Sequence, residues 1–189
     1  DSVVRLAGEG ATREAITREL TRIARGVNAG DQFMLMLVGH GSFDGNEYRL
    51  NLPGPDITGT ELLALLEKMP AGAPQLIVNG TSSSGAITEK WTRANRVIVT
   101  ATRSGSEQNY ARFGINAANA LTNALSDIDQ DGQNSALEVF LAASRMTTEW
   151  YKTEGRLATE HPLIDDNGDG RGTSADWFQG LRVVKKSTD

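Results

Sequence analysis

The stretch FMLMLVGHGSFDG, residues 33–45, decides how the rest of the chain is read. Its first six residues are apolar without alternation. An unbroken apolar run closed by turn residues is the pattern of a strand buried on both faces, as in a parallel sheet covered by helices. The run ends in Gly39 and Gly41 flanking His40, one of only two histidines among 189 residues. Open α/β sheets gather their chemistry beyond the carboxyl ends of their strands, so His40 stands where a sheet presents a titratable group. The structural alternative is a strand-end turn with a satisfied ring. Asp44, in FDGN, reads as a turn residue rather than as a partner for the histidine.

Working outward, SVVRL (2–6) reads as a short strand, and residues 12–27 as a helix with Thr12 at its N-cap and Ile16, Leu20 and Ile23 on one face. EYRLNL (47–52) alternates, as a hairpin or edge strand does. TGTELLALLEKM (58–69) opens with the capping box Thr58 to Glu61. PQLIVNG (74–80) and RVIVTAT (96–102) are two further unbroken apolar strands. The fold class is therefore α/β, a mostly parallel sheet flanked by helices. No repeat, low-complexity tract or linker interrupts it. One domain is expected, with a core over 1–126 and, over 127–189, a helical extension carrying two acidic loops packed on the same body.

Composition excludes several functions. With 39% hydrophobic and 23% charged residues the chain can close one good core. The net charge of −5 and the lack of a basic stripe argue against nucleic acid as a partner, and no segment reads as a membrane span. The absence of cysteine rules out a disulfide scaffold, a cysteine zinc site and a thiol nucleophile together. The chain opens on Asp1 rather than methionine, as a processed or trimmed piece would.

A buried strand ending in His-Gly, followed about forty residues later by a second ending in TSSSGA (81–86), resembles the caspase and legumain superfamily of cysteine peptidases. The likeness runs from GATREAITREL and GDQFMLMLVGHG through RVIVTATRSGSEQ, over most of the chain, and is that of a bacterial-type member. It implies that His40 is the proton-transferring residue, that the N–H groups of Gly41 and Ser82 hold an oxyanion, and that Ser82 occupies the nucleophile position, where the family pattern is Cys-x-Ser-Gly. The loop RSGSEQNY (103–110) would then wall the substrate pocket with Arg103 and Glu107, each of which reads equally as surface charge. Family members also have a strand upstream of SVVRL, central in their sheet.

Serine in place of cysteine decides the functional expectation. A free thiol has a pKa of about 8.5 and is activated by a neighbouring imidazole alone. A hydroxyl needs a base and a third group orienting that base, and nothing in the sequence nominates the third group. Three readings stay open: a naturally inactive relative serving binding or assembly, an active peptidase using a His40/Ser82 dyad, and an inactivated Cys-to-Ser variant of a cysteine endopeptidase. The serines of GTSSSGA also have a purely structural use as caps for a following helix. His161, in TEHPLI, has no partner motif and reads as a packing or capping residue.

The strongest chemical motif lies elsewhere. DIDQDGQNSALE (127–138) fits the twelve-residue calcium loop at every constrained position. Asp127, Asp129 and Asp131 supply carboxylates, Gly132 permits the sharp turn, Gln133 offers its carbonyl, Ser135 sits at position nine, and Glu138 closes the site. The flanking INAANALTNAL (115–125) and LEVFLAASRMTTEW (137–150) read as helices. Asn134 at position eight, usually aliphatic, speaks against close pairing with a second loop. DDNGDGRGTSAD (165–176) repeats the pattern less completely, with Asp165, Asn167, Asp169, Arg171 and Thr173 in ligand positions and Asp176 where glutamate is usual; no amphipathic helix enters it. Trp177 and Phe178 are expected to pack the C-terminal segment onto the body. The cofactor expected is calcium, one or two ions, the alternatives being a solvated acidic turn at 127–138 and a glycine-rich acidic surface turn at 165–176. The partner expected is a peptide or protein, and the chain a possible fragment or subunit of something larger. Since millimolar calcium lies outside the cytoplasm, a secreted or periplasmic location is expected.

Overall fold

The computed structural model describes residues 3–178 of the chain. In sequence order its main elements are α1 (Arg13–Gly26), β1 (Phe33–Gly39), β2 (Gly41–Phe43), β3 (Tyr48–Leu50), β4 (Ile57–Thr58), α2 (Gly59–Leu66), β5 (Gln75–Thr81), α3 (Thr88–Trp91), β6 (Arg96–Thr100), α4 (Phe113–Thr122), α5 (Ala136–Thr153), β7 (Leu163–Asp165) and β8 (Thr173–Ser174). The central sheet has the order β1-β5-β6-β7-β8, and β2, β3 and β4 form a separate small sheet. β1 pairs with β5 and β5 with β6 in parallel, while β7 and β8 add antiparallel pairs at the far edge. The architecture is thus α/β with a mixed, mostly parallel sheet between helices.

The unbroken apolar strands are explained by two core clusters, one on each face. Ile77 and Ile98 join Ile16, Leu20, Phe33, Leu37, Leu62 and Leu66 beneath α1 and α2. Their neighbours Val78 and Val99 join Phe113, Ala117, Val139, Phe140 and Ile164 beneath α4 and α5. In β5 and β6 both faces are covered, so no polar alternation survives. β1, at the edge of the sheet, departs from that expectation, with Met34 and Val38 exposed. Thr12 caps α1 by accepting from the Ala15 N–H, and the Thr58–Glu61 capping box starts α2. The hairpin expected at 47–52 is β3, paired antiparallel with β2 and β4.

At Gly80 and Gly114, α4 lies against β5 so closely that a Cβ on Gly80 would sit 2.3 Å from the Gly114 Cα. Only two glycines allow that approach, and it brings the N-terminal end of α4 onto the sheet.

Three expectations are corrected. SVVRL forms no strand over residues 3–6, and Val3 is 92% exposed; β-branched residues supply propensity, and among the described residues no neighbouring strand pairs with them. The C-terminal part is not a helical extension: α5 packs on α4, and β7 enters the central sheet beside β6. Of the aromatic pair, Phe178 packs edge-on against Phe140, whereas Trp177 remains exposed.

Candidate functional site

The parallel register of β1 on β5 matches Gly39 with Thr81, so His40 and Ser82 are the next residues at two adjacent carboxyl ends. Gly41 is wedged there: a Cβ on it would lie 2.4 Å from the Ser82 carbonyl oxygen and 2.7 Å from the Tyr48 ring. The His40 carbonyl accepts from Asn51 N–H and the Glu47 carbonyl accepts from Asp44 N–H. The antiparallel ladder therefore uses the even residues, and the Gly41 N–H is directed away from β3.

The two catalytic candidates differ in accessibility. His40 is exposed, its ring meeting Tyr110 edge-on at 5.2 Å. Ser82 is fully buried, and its Oγ has no hydrogen-bond partner. Beneath it Asn79 Oδ1 accepts from Thr81 Oγ1 at 2.8 Å, and the Tyr48 hydroxyl lies 2.6 Å from the same Thr81 oxygen. Burial raises the Tyr48 pKa to about 12 against the opposing pull of these hydrogen bonds. Asn79 Nδ2 and Ser83 Oγ are likewise buried without partners. Ser83 has φ 57° and ψ 10°, a left-handed conformation costing on the order of 1 kcal/mol outside glycine. The capping of a following helix expected of these serines is not seen: neither Ser84–Ile87 nor α3 has a side-chain cap, and Ser84 Oγ instead accepts from the Ala101 and Thr102 N–H groups just past β6.

The pocket-wall candidates separate. Arg103 is exposed. The Glu107 carboxylate is turned to structural use, accepting from the N–H groups of Arg103 and His161 and lying 2.6 Å from His161 Nδ1. The Glu107 carbonyl in turn holds the Ser83 N–H at 2.8 Å. His161 thus has a partner 54 residues away, which no local motif could announce. Asp44 behaves as a turn residue. Bonds from the Glu47 N–H, Arg49 and the Asn46 N–H hold its carboxyl well below the usual range, and it offers no orientation to His40. Glu160, missed in the sequence, is buried and accepts from the Arg112 and Phe113 N–H groups at the start of α4; burial pushes its carboxyl above the usual value.

The acidic loop lies between α4 and α5. Carboxylate oxygens of Asp127, Asp129 and Asp131 fall within 4.8 Å of one another and could together hold a metal ion. Their spacing is set by the backbone. Asp127 accepts from the Asp131 and Gly132 N–H groups, Asp129 from Asp131, and Asp131 from Gln133. Gly132 has φ +85°, as the turn requires of a residue without Cβ. Loss of hydration, then repulsion from Asp131, Glu138 and Asp127, raises the Asp129 carboxyl above its usual value.

Ser135 caps α5 in a capping box with Glu138, whose other oxygen accepts from Ile128 and Asp129 N–H. Burial opposes ionisation of Glu138, but these bonds outweigh it and hold the carboxyl below its usual value. The Gln133 side chain has no part in this network; its N–H closes the turn onto Asp131. Asn134 donates to the Ala120, Leu121 and Asn123 carbonyls, capping α4. That accounts for its replacing the usual aliphatic residue: it closes the incoming helix.

The second loop repeats this backbone pattern. Asp165 accepts from Gly170 N–H, Asn167 from Asp169 N–H, and Asp169 from Arg171 N–H, at the same relative positions as in the first loop. It is entered by β7 instead of a helix, and Asp165 is also tied to Thr92 Oγ1 at 2.8 Å. Thr173 lies in β8, Arg171 is exposed, and Asp176 lies in the short helical turn Ala175–Phe178.

Fold and site together define an α/β domain with a mixed, mostly parallel sheet, two polar strand ends side by side, and an acidic turn able to take a metal. No family model and no curated protein matches the sequence. Among solved structures, protein GSU0716 from Geobacter sulfurreducens is similar with a TM-score of 0.58 at 15% identity, over 85% of this chain and 75% of that one. At that identity the likeness speaks to fold alone. No helix among the described residues is long and apolar enough to cross a membrane.

Proposed function

We propose that this chain is a caspase- and legumain-like domain that has lost peptidase chemistry, binds calcium, and serves in peptide or protein binding or in assembly. The observation that carries the reading is the contrast at the two strand ends: the imidazole of His40 is exposed, while the Ser82 hydroxyl is buried and unpartnered. A nucleophile must reach both its base and a substrate carbonyl, and a sealed hydroxyl with no orienting third group does neither. Calcium fits the three clustered carboxylates because hard oxygen donors and a glycine turn at position six are what that ion takes. With the ion supplied from outside the cytoplasm, the loops would be filled in a secreted or periplasmic protein.

The test is incubation with a fluorophosphonate probe and a broad peptide library, with calcium present. The expected result is no labelling and no turnover by folded protein. Labelling of Ser82 that disappears in His40→Ala would overturn the reading and establish a working dyad.

A further inference from the structure

On the face of the sheet opposite α4 and α5, α1 and α2 leave between them a hollow of about 1040 Å³. Its floor is low, made of Thr17 and Thr21 from α1 and Ala64 and Leu65 from α2. Arg18, Arg22 and Arg25 stand along its α1 side, with Arg13 at the end of the row. The spacing i, i+4, i+7 puts one guanidinium on each successive turn, about 5.4 Å apart along the helix. Against these four arginines the lining contains two glutamates, Glu14 and Glu61. Glu61 is engaged by the Thr58 cap and by Arg13.

Arg18 and Arg22 share one partner, Glu19, and Arg25 has none among the described residues. The lining thus keeps a modest positive excess, four arginines against Glu14, Glu61 and the adjoining Glu19, on a chain whose net charge is −5. Apolar residues of α1 are already committed to the core through Ile16 and Leu20, so intrachain packing does not account for the arginine row.

We propose that the groove between α1 and α2 docks an acidic amphipathic helix of a protein partner. That helix lays small apolar side chains on the Thr17, Thr21 and Ala64 floor and presents one carboxylate per turn to Arg18, Arg22 and Arg25. Three features select this occupant. The charge is complementary, and the arginine spacing repeats at the helical rise. The exposed part of the floor is small, since Leu65 is buried and Thr17, Thr21 and Ala64 form the rest, so a second helix can approach, as in helix-in-groove recognition. A nucleic acid suits the site less well, because the chain as a whole carries a net charge of −5 and no aromatic lines the groove for base stacking.

The probe is a fluorescein-labelled peptide of about eighteen residues, five helical turns, built of alanine, leucine and glutamate with the carboxylates at that spacing. A glutamine version serves as control. Anisotropy at low and high ionic strength reads binding to the full chain. The expected result is saturable binding that salt weakens. R18E/R22E/R25E should weaken it roughly tenfold or more, the compounded effect of three exposed ion pairs. Ala64→Trp, which fills the floor without changing charge, should weaken it as well. The triple reversal also breaks the two ion pairs to Glu19 and sets like charges beside it, so R18Q/R22Q/R25Q is measured alongside, and loss of binding is read as loss of the groove in variants that melt near the parent chain.

Any of four outcomes would overturn the proposal. The first two are a peptide that fails to saturate and one that binds the triple charge reversal as tightly as the parent. A single-stranded oligonucleotide could bind the groove more tightly than the peptide. Finally, Ala64→Trp could abolish self-association of the chain, which would assign the groove to a second copy.

Discussion

Metal loading of the 127–138 loop is the perturbation with the clearest consequence for the whole domain. Without an ion the carboxylates of Asp127, Asp129 and Asp131 are held within 4.8 Å by their own backbone turn, and that proximity is a standing repulsion in the folded state. An ion that binds the native state alone stabilises it by about 2.7 kcal/mol at a hundredfold excess over its dissociation constant. For a chain of this size that corresponds to a rise of roughly 5–11 °C in melting temperature. The assay is a thermal melt followed by near-ultraviolet circular dichroism, in chelator and in calcium, with magnesium as the comparison.

Asp129→Asn sharpens the test. The amide oxygen still accepts from the Asp131 N–H, 3.2 Å away in the parent, while one charge disappears. The variant should melt at or above the parent in chelator and lose most of the calcium increment. The pH dependence follows from the raised Asp129 carboxyl. A raised group binds its proton more tightly folded than unfolded, so the ion-free protein gains stability as pH falls through that range. Protons compete with the ion over the same range, and the calcium increment shrinks. Identical melts in calcium and chelator, or an Asp129→Asn variant that is weaker in chelator yet keeps the full increment, would refute the reasoning.

Three further outcomes are expected. Gly41→Ala should cost more than about 3 kcal/mol, because its Cβ would overlap the Ser82 carbonyl and the Tyr48 ring; a chemical-denaturation midpoint close to the parent's would show that β2 does not seat on the end of β5. Glu160, buried and raised, binds protons more tightly folded, so parent stability should rise relative to Glu160→Gln as pH is lowered from 7 through its titration; a difference that is flat with pH contradicts the burial at the start of α4. In β1 the Phe33 N–H bonds to the Pro74 carbonyl across the β5 ladder, which directs the amides of Met34, Met36 and Val38 to the edge that no described strand pairs with. Hydrogen exchange should therefore be fast at those three and slow at Leu35 and Leu37, and uniform protection along the strand would mean the edge is covered.

The strands and helices were legible because each is written locally. Apolar runs at 74–80 and 96–102 report coverage on both faces, and Thr12, Thr58 and Ser135 announce caps whose hydrogen bonds close within three residues. SVVRL shows where this fails. Propensity speaks of the residue, whereas a strand needs a partner, and Val3 has none among the described residues. Glu107 was noticed as a charge beside the candidate cleft, but its use is set by His161, and Glu160 was silent because its hydrogen-bond partners are backbone groups 47 and 48 residues away.

By itself the sequence determined the α/β class, the helix starts, and the folding of the acidic turn, in which each aspartate accepts from an N–H two to five residues ahead. Such features depend on φ, ψ and hydrogen bonds within a few residues. Tertiary structure alone decided that His40 and Ser82 end adjacent strands, that one is open to solvent and the other sealed, and that the second acidic turn hangs from the sheet through β7 instead of following a helix. Those outcomes depend on register and on which layer covers which face, which arise only when segments distant along the chain compete to bury the same apolar surface.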